Sequence, residues 1–159
     1  MTEYPELIEY ANTRPGYLVL DVGCGYCQYY NEKSAFELIG LDKDRETLKI
    51  AYFGFVKEMT KRKNLSPVRG DGMYLPFGDN QFDAVISRRF LCCYSNPRNA
   101  VEEMIRVLKP GKKIVLAPRT SWELGWFRIK RVKMTDVLKK NNFYDVNERE
   151  DCVHGTKPI

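Results

Sequence analysis

The 159-residue chain is predicted to fold as an α/β protein: an open, doubly wound, mostly parallel sheet. Three observations carry that prediction. Short apolar runs at residues 18–22, 37–41, 82–87 and 113–117 alternate with segments whose apolar residues recur at helical spacing. Strands alternating with helices imply right-handed crossovers and a parallel sheet. The first run ends in Asp21 and turns at once through Gly23-Cys24-Gly25, and a second acid, Asp42, closes the next run. Those acids are separated by about twenty residues, the spacing of a ribose-binding acid in nucleotide-binding βαβ units.

The elements follow in order. Residues 2–12 predict a short helix with Leu7, Ile8 and Ala11 on one face, and Pro15-Gly16 breaks it. The run 18–22 is apolar and short enough for a strand buried on both faces. Residues 27–36 predict the first crossover helix and 37–41 the second strand. Residues 45–60 predict a helix, with Leu48, Ala51, Tyr52, Phe55 and Met59 along one stripe. Val68 and Arg69 predict a stubby third strand, and 82–87 the fourth, with Asp83 in a structural role. Residues 97–108 predict an amphipathic helix stopped by Pro110-Gly111, and 113–117 the fifth strand. Residues 135–141 predict a helix capped by Thr135, and 143–150 a sixth strand. Only 152–159 remain, so a last strand is expected to be short or missing.

Composition sets bounds. A 43% hydrophobic content with 13% aromatics excludes a disordered chain. No apolar stretch approaches the roughly 20 residues that cross a bilayer, and the N-terminus lacks a signal-peptide pattern. A single domain over residues 1–159, soluble and cytoplasmic, is expected. Five cysteines form an odd set, so free thiols are expected rather than disulfides. Cys24 and Cys27 have the spacing of a zinc pair that Cys92-Cys93 can complete. Small side chains packed beside a ligand are the simpler account, and no metal is expected. The +5 charge gathers at residues 57–63, 106–113 and 128–140, with Trp122, Trp126 and Phe127 interleaved. Such clusters attract RNA or an acidic surface, and they also arise as solvated helix faces.

Asp21 stands at the carboxyl edge of its strand, where open α/β sheets bind ligands. A carboxylate there repels a pyrophosphate and favours a nucleoside carrying positive charge. Gly23 and Gly25 permit backbone angles closed to other residues and a close main-chain approach. Two further elements lie downstream. One is Arg69-Gly70-Asp71-Gly72-Met73 followed by Leu75-Pro76-Phe77 and the strand to Ser87. The other is Leu108-Lys109-Pro110-Gly111 leading into Ile114-Val115-Leu116.

In this order and spacing the four elements resemble the class I S-adenosylmethionine-dependent methyltransferases, over about residues 17–118. They are similar above all to the small-molecule group that includes quinone C-methyltransferases. The resemblance implies a Rossmann-like sheet and S-adenosyl-L-methionine as cofactor. It places Asp21 near the methionyl ammonium and the backbone of Gly23, Cys24 and Gly25 against the methionine and sugar. It gives Asp42 both ribose hydroxyls, sets Lys43 over the adenine, and gives Asp71 the adenine amino group with Gly72 and Met73 lining the ring. The main-chain oxygen of Ser87 would meet the ammonium. Read from the residues alone, Asp21 and Asp42 can also be helix N-caps, and Gly-Asp-Gly around Asp71 a loop former.

The sulfonium is already an activated donor, so the protein mainly aligns the acceptor and excludes water. A general base is needed only when the acceptor must lose a proton, and no catalytic residue is assigned. His154 reads as a surface residue in a mobile tail. Arg88, Arg89 and Tyr94 follow the fourth strand, where the family builds its acceptor pocket. Ser95-Asn96-Pro97 departs from the Asn/Asp-Pro-Pro-aromatic signature of amino-methylating enzymes, which argues against DNA adenine and glutamine amide as acceptors. With about 16 residues before the first strand, a minimal N-terminal lid is expected. Either the acceptor is macromolecular, or a partner chain or second copy covers the site, with Trp122, Leu124, Trp126 and Phe127 as contacts. Two further readings stand beside the leading one. The first is a noncatalytic methyltransferase-fold partner subunit, motivated by Cys27 where the family often has its third glycine. The second is an RNA or protein methyltransferase.

Overall fold

The computed structural model describes residues 5–27, 35–53, 64–94, 96–117, 134–148 and 152–159. Its strands are β1 Leu18–Val22, β2 Glu37–Asp42, β3 Leu65–Arg69, β4 Phe82–Arg88, β5 Leu108–Ala117, β6 Tyr144–Glu148 and β7 Val153–Thr156. They form one sheet in the order β3-β2-β1-β4-β5-β7-β6. The first five run parallel, and β7 enters antiparallel between β5 and β6. The helices are α1 Pro5–Tyr10, α2 Arg45–Phe53, α3 Arg98–Val107 and α4 Met134–Lys140. Among the described residues no helix is long and apolar enough to cross a membrane.

Alternation along the central strands assigns side chains to two cores, one on each face. Leu20, Val22, Leu41, Val85, Ile114 and Leu116 pack with α3 and α4. Val19, Leu38, Ala84, Ile86 and Val115 pack with α1 and α2. Both faces of β1 and β4 are covered, which is why these strands read as near-continuous apolar runs.

Three assignments differ from the sequence expectation. β3 begins at Leu65, because an edge strand tolerates Pro67 and the exposed Ser66 that hide it. α3 stops at Val107, where Leu108 is already extended and pairs with Phe82; Pro110-Gly111 lies inside β5, with Gly111 at φ +71°. Thr135 sits within α4 and does not cap it. The last strand is short, one of the two outcomes expected: β7 spans four buried residues paired on both sides.

His154 accordingly does not lie in a mobile tail. It is buried in β7, its ring stacked on Tyr10 of α1 at 5.1 Å and 13°. Just beyond, the Lys157 ammonium donates to the carbonyls of Ile105 and Leu108 at 2.8 and 2.6 Å and to Asn80 Oδ1 at 2.9 Å. These bonds fasten the C-terminal segment to the end of α3. Residues 28–34 of the crossover helix predicted at 27–36, the second half of the 45–60 helix, Ser95 and the aromatic segment holding Trp122, Leu124, Trp126 and Phe127 lie outside the described residues.

Asp83 is structural, at the sheet edge opposite the glycine loop. It accepts from Leu18 N at 3.1 Å and from Lys109 Nζ at 3.0 Å, with Lys112 Nζ at 3.6 Å. Burial works to raise its pKa, but the Leu18 amide and the lysines outweigh it and hold the carboxyl below the usual range. A depressed folded pKa gives stability that is present above the unfolded value of about 4 and lost as the pH falls through the folded value. Asp83→Asn is therefore expected to cost about 1–2 kcal/mol at pH 7. Denaturant melts should show that difference shrinking as the pH falls below about 4, and a pH-independent difference would contradict the assignment.

Candidate functional site

The carboxyl ends of β1, β2 and β4 and the turn after β3 meet at one edge of the sheet. The loop after β1 is fastened there by main-chain bonds: Gly23 N and Cys24 N both donate to Leu41 O, at 2.8 and 3.0 Å. Gly25 N then donates to Asp42 Oδ2 at 3.0 Å, while Asp42 Oδ1 accepts from Asp44 N at 3.0 Å. Asp42 is thus no helix cap. Asp44 caps α2, accepting from Glu46 N at 2.8 Å and Thr47 N at 3.2 Å, and these amides hold its carboxyl below the usual range. The Asp42 carboxylate faces the glycine loop, and each of its oxygens keeps a lone pair for another donor.

Asp21, fully buried at the tip of β1, lies opposite Gly40 of β2 and Ile86 of β4. Its carboxylate and the thiols of Cys24 and Cys27 lie within 4.8 Å of one another. Gly40 makes room for both thiols: a Cβ there would stand 2.9 Å from Cys27 Sγ and 3.0 Å from Cys24 Sγ. Cys27 adopts φ +49°, a left-handed conformation that ordinarily selects glycine. The hydrogen bond with Cys27, burial and the Asp21 charge all push the Cys24 thiol well above its usual pKa. Among the described residues Cys92 and Cys93 do not join this cluster; their thiols turn to Arg89 O.

The glycines of the cleft divide by function. At Gly25, φ +52°, nothing among the described residues lies within 4 Å of where a Cβ would be, so on that side no described side chain or backbone closes over it. A Cβ on Gly23, φ +74°, would collide with Phe90 Cβ and approach its ring carbons to 2.8 Å. A Cβ on Gly72 would strike the far end of the same ring and stand 2.8 Å from Val22 Cγ1. The Phe90 ring therefore spans from the β1 loop to the turn after β3. Packing against it demands glycine at 23 and 72, whatever lies against their main chains.

Sequence reasoning missed Phe90, because a single aromatic past a strand end carries no periodic signal. It pairs edge-on with Tyr94 at 4.9 Å. Burial and the Asp71 and Asp42 charges raise the pKa of the Tyr94 hydroxyl. Asp71 Oδ1 also accepts from Met73 N at 2.9 Å, and Asp71 bridges to Tyr74, so the loop-forming role of Gly-Asp-Gly is real. Gly72 is buried and Met73 half-buried beside it. Ser87 is buried and donates from Oγ to Val22 O at 2.9 Å, drawing the tip of β4 onto β1. Lys43 is exposed, its carbonyl accepting from Arg69 Nε at 3.3 Å.

Two carboxylates, Asp21 and Asp42, thus meet the glycine loop, and the Asp71 charge in the turn after β3 acts with that of Asp42 on Tyr94. Such a cleft repels polyphosphates and favours a cationic ligand rich in hydroxyls.

Residues 20–116 match the methyltransferase domain family. The chain is 34% identical over 116 residues to a demethylmenaquinone methyltransferase of Renibacterium salmoninarum, covering 72% of this chain and 46% of that protein. It is 31% identical over 106 residues to the probable tRNA methyltransferase 9B of Homo sapiens, covering 65% of this chain and 21% of that protein. The chain thus spans less than half the length of either relative. The fold is similar to that of a solved complex between the Haloferax volcanii Trm112 methyltransferase activator and the putative methyltransferase. The TM-score is 0.74 at 17% identity, with 97% of this chain and 88% of that chain covered.

Gly72→Ala is expected to cost about 1–3 kcal/mol through overpacking against Phe90. Phe90→Ala in the same chain should relieve most of that added cost. A double-mutant cycle from denaturant melts checks the coupling, and additive losses would contradict the contact.

Proposed function

The chain belongs to the methyltransferase domain family, and from that membership we propose that it transfers a methyl group from S-adenosylmethionine to an acceptor. The observation that carries the proposal is the flanking of one loop by two acids: Asp42 on the Gly25 amide and buried Asp21 beside Cys24. The side of Gly25 that no described residue closes and these two carboxylates suit a cationic nucleoside.

In this reading the second lone pairs of Asp42 accept from the ribose hydroxyls. Asp21 takes the methionyl ammonium, helped by the main-chain oxygen of Ser87. The backbone of Gly23, Cys24 and Gly25 lies along the methionine and sugar. Asp71 accepts from the adenine amino group, with Gly72, Met73 and Lys43 around the ring. The cofactor supplies an activated methyl on a sulfonium. The chain's own work is to bind, to orient the acceptor in line with that methyl and to exclude water.

We read residues 1–159 as one such domain acting in the cytoplasm. The acceptor enters past the loop after β4, near Arg88, Arg89 and Tyr94. A second reading concerns the acceptor: the +5 charge and the likeness to a probable tRNA methyltransferase favour RNA, with a partner chain or second copy closing the site. That the solved neighbour is a complex with an activator supports the partner. The rival reading, a noncatalytic partner subunit, binds cofactor and transfers nothing.

Calorimetric titration with S-adenosylhomocysteine should give saturable binding. Asp42→Ala should weaken it by about 1–3 kcal/mol, the cost of leaving polar partners unpaired. Unchanged affinity would contradict the ribose assignment. With radiolabelled cofactor, label in RNA supports the RNA reading, label confined to small metabolites overturns it, and no transfer to any fraction overturns the enzyme.

A further inference from the structure

We propose that Asp21, Cys24 and Cys27 form a binding site for a thiophilic divalent cation, zinc above all, and that the metal and the nucleoside cofactor exclude one another. The exclusion rests on the reading of Asp21 given above; the metal site does not.

The geometry is close to complete. All three ligand atoms lie within 4.8 Å of one another, and all three residues are buried. Two thiolates on a tetrahedral zinc, with Zn–S of about 2.3 Å, stand about 3.8 Å apart. Closing the cluster onto an ion therefore asks for shifts on the order of 1 Å. The scaffold is already wound for it. The ligands sit on the single segment 21–27, Cys27 N donates to Cys24 O at 2.9 Å, and Cys24 N is anchored to Leu41 O at 3.0 Å. Left-handed angles at Gly23, Gly25 and Cys27 turn both thiols to the same side. Gly40 provides the floor: any side chain there would fill the space that the two sulfurs occupy.

The chemistry balances. Zn²⁺ binds the carboxylate and two thiolates, and the two thiol protons leave to solvent. Two soft sulfurs select zinc or cadmium over magnesium and calcium, which take oxygen ligands. Three protein ligands leave one position for a solvent oxygen. A metal on the Asp21 carboxylate neutralises the charge assigned to the methionyl ammonium, so cofactor affinity must fall when metal binds.

The test uses the full chain with Cys92→Ser and Cys93→Ser, which removes the more accessible thiols and leaves the buried cluster intact. Cadmium titration should give a thiolate-to-metal charge-transfer band saturating at one equivalent. Zinc K-edge absorption of the one-to-one complex should count two sulfurs. No band, or fewer than two sulfurs, overturns the site without relying on any variant of the cluster itself. Adding Cys27→Ser should weaken cadmium binding at least tenfold; an unchanged band would also overturn it. S-adenosylhomocysteine affinity should fall at least tenfold with saturating zinc and recover with chelator. A two-sulfur complex that leaves that affinity unchanged supports the site and overturns the ammonium role of Asp21. Failure of the metal-free protein to bind S-adenosylhomocysteine overturns the proposed function alone.

Discussion

The fastening of the β1 loop to the end of β2 governs the site. Two amides on Leu41 O and a third on the Asp42 carboxylate fix residues 23–25 against the neighbouring strand. This brings Asp21, beside Cys24, and Asp42, on the Gly25 amide, to one short loop. Such a concentration of negative charge in a partly buried cleft is costly unless a cation or hydrogen-bond donors answer it. The cleft's preference for a cationic ligand follows from that cost. Ser87 adds the third strand to the arrangement by bonding to Val22 O, so the tips of β2, β1 and β4 act as one rigid edge.

The central strands were legible because burial on both faces leaves an apolar run that no other element shares. What the sequence hid has specific causes. β3 is an edge strand, and its proline and exposed serine erase the pattern. The start of β5 was masked by Pro110-Gly111, which breaks a helix in most settings but here bulges a strand. β7 carries a histidine, a glycine and a threonine, which read as a tail until pairing on both sides buries them. His154 was misread for the same reason: its burial depends on β5, β6 and Tyr10, none of which is near it in sequence.

At the site, the acids are legible from spacing, but only the hydrogen-bond partners show that Asp44, and not Asp42, caps α2. The roles of the glycines needed the fold. Glycine at 23 and 72 answers to Phe90, glycine at 40 answers to two thiols, and Gly25 alone of these has no described atom within 4 Å of a Cβ. One residue type thus answers to packing at three of these four positions. The pairing of Cys24 with Cys27 was visible in sequence, but its third member, Asp21, belongs to the strand rather than to the cysteine motif.

The most direct measurement is a crystal structure of the full chain with S-adenosylhomocysteine. The account requires the ribose hydroxyls within hydrogen-bond distance of the Asp42 carboxylate and the methionyl ammonium beside Asp21, with Gly25 against the ligand. A nucleoside bound elsewhere, or one leaving both carboxylates untouched, would contradict it.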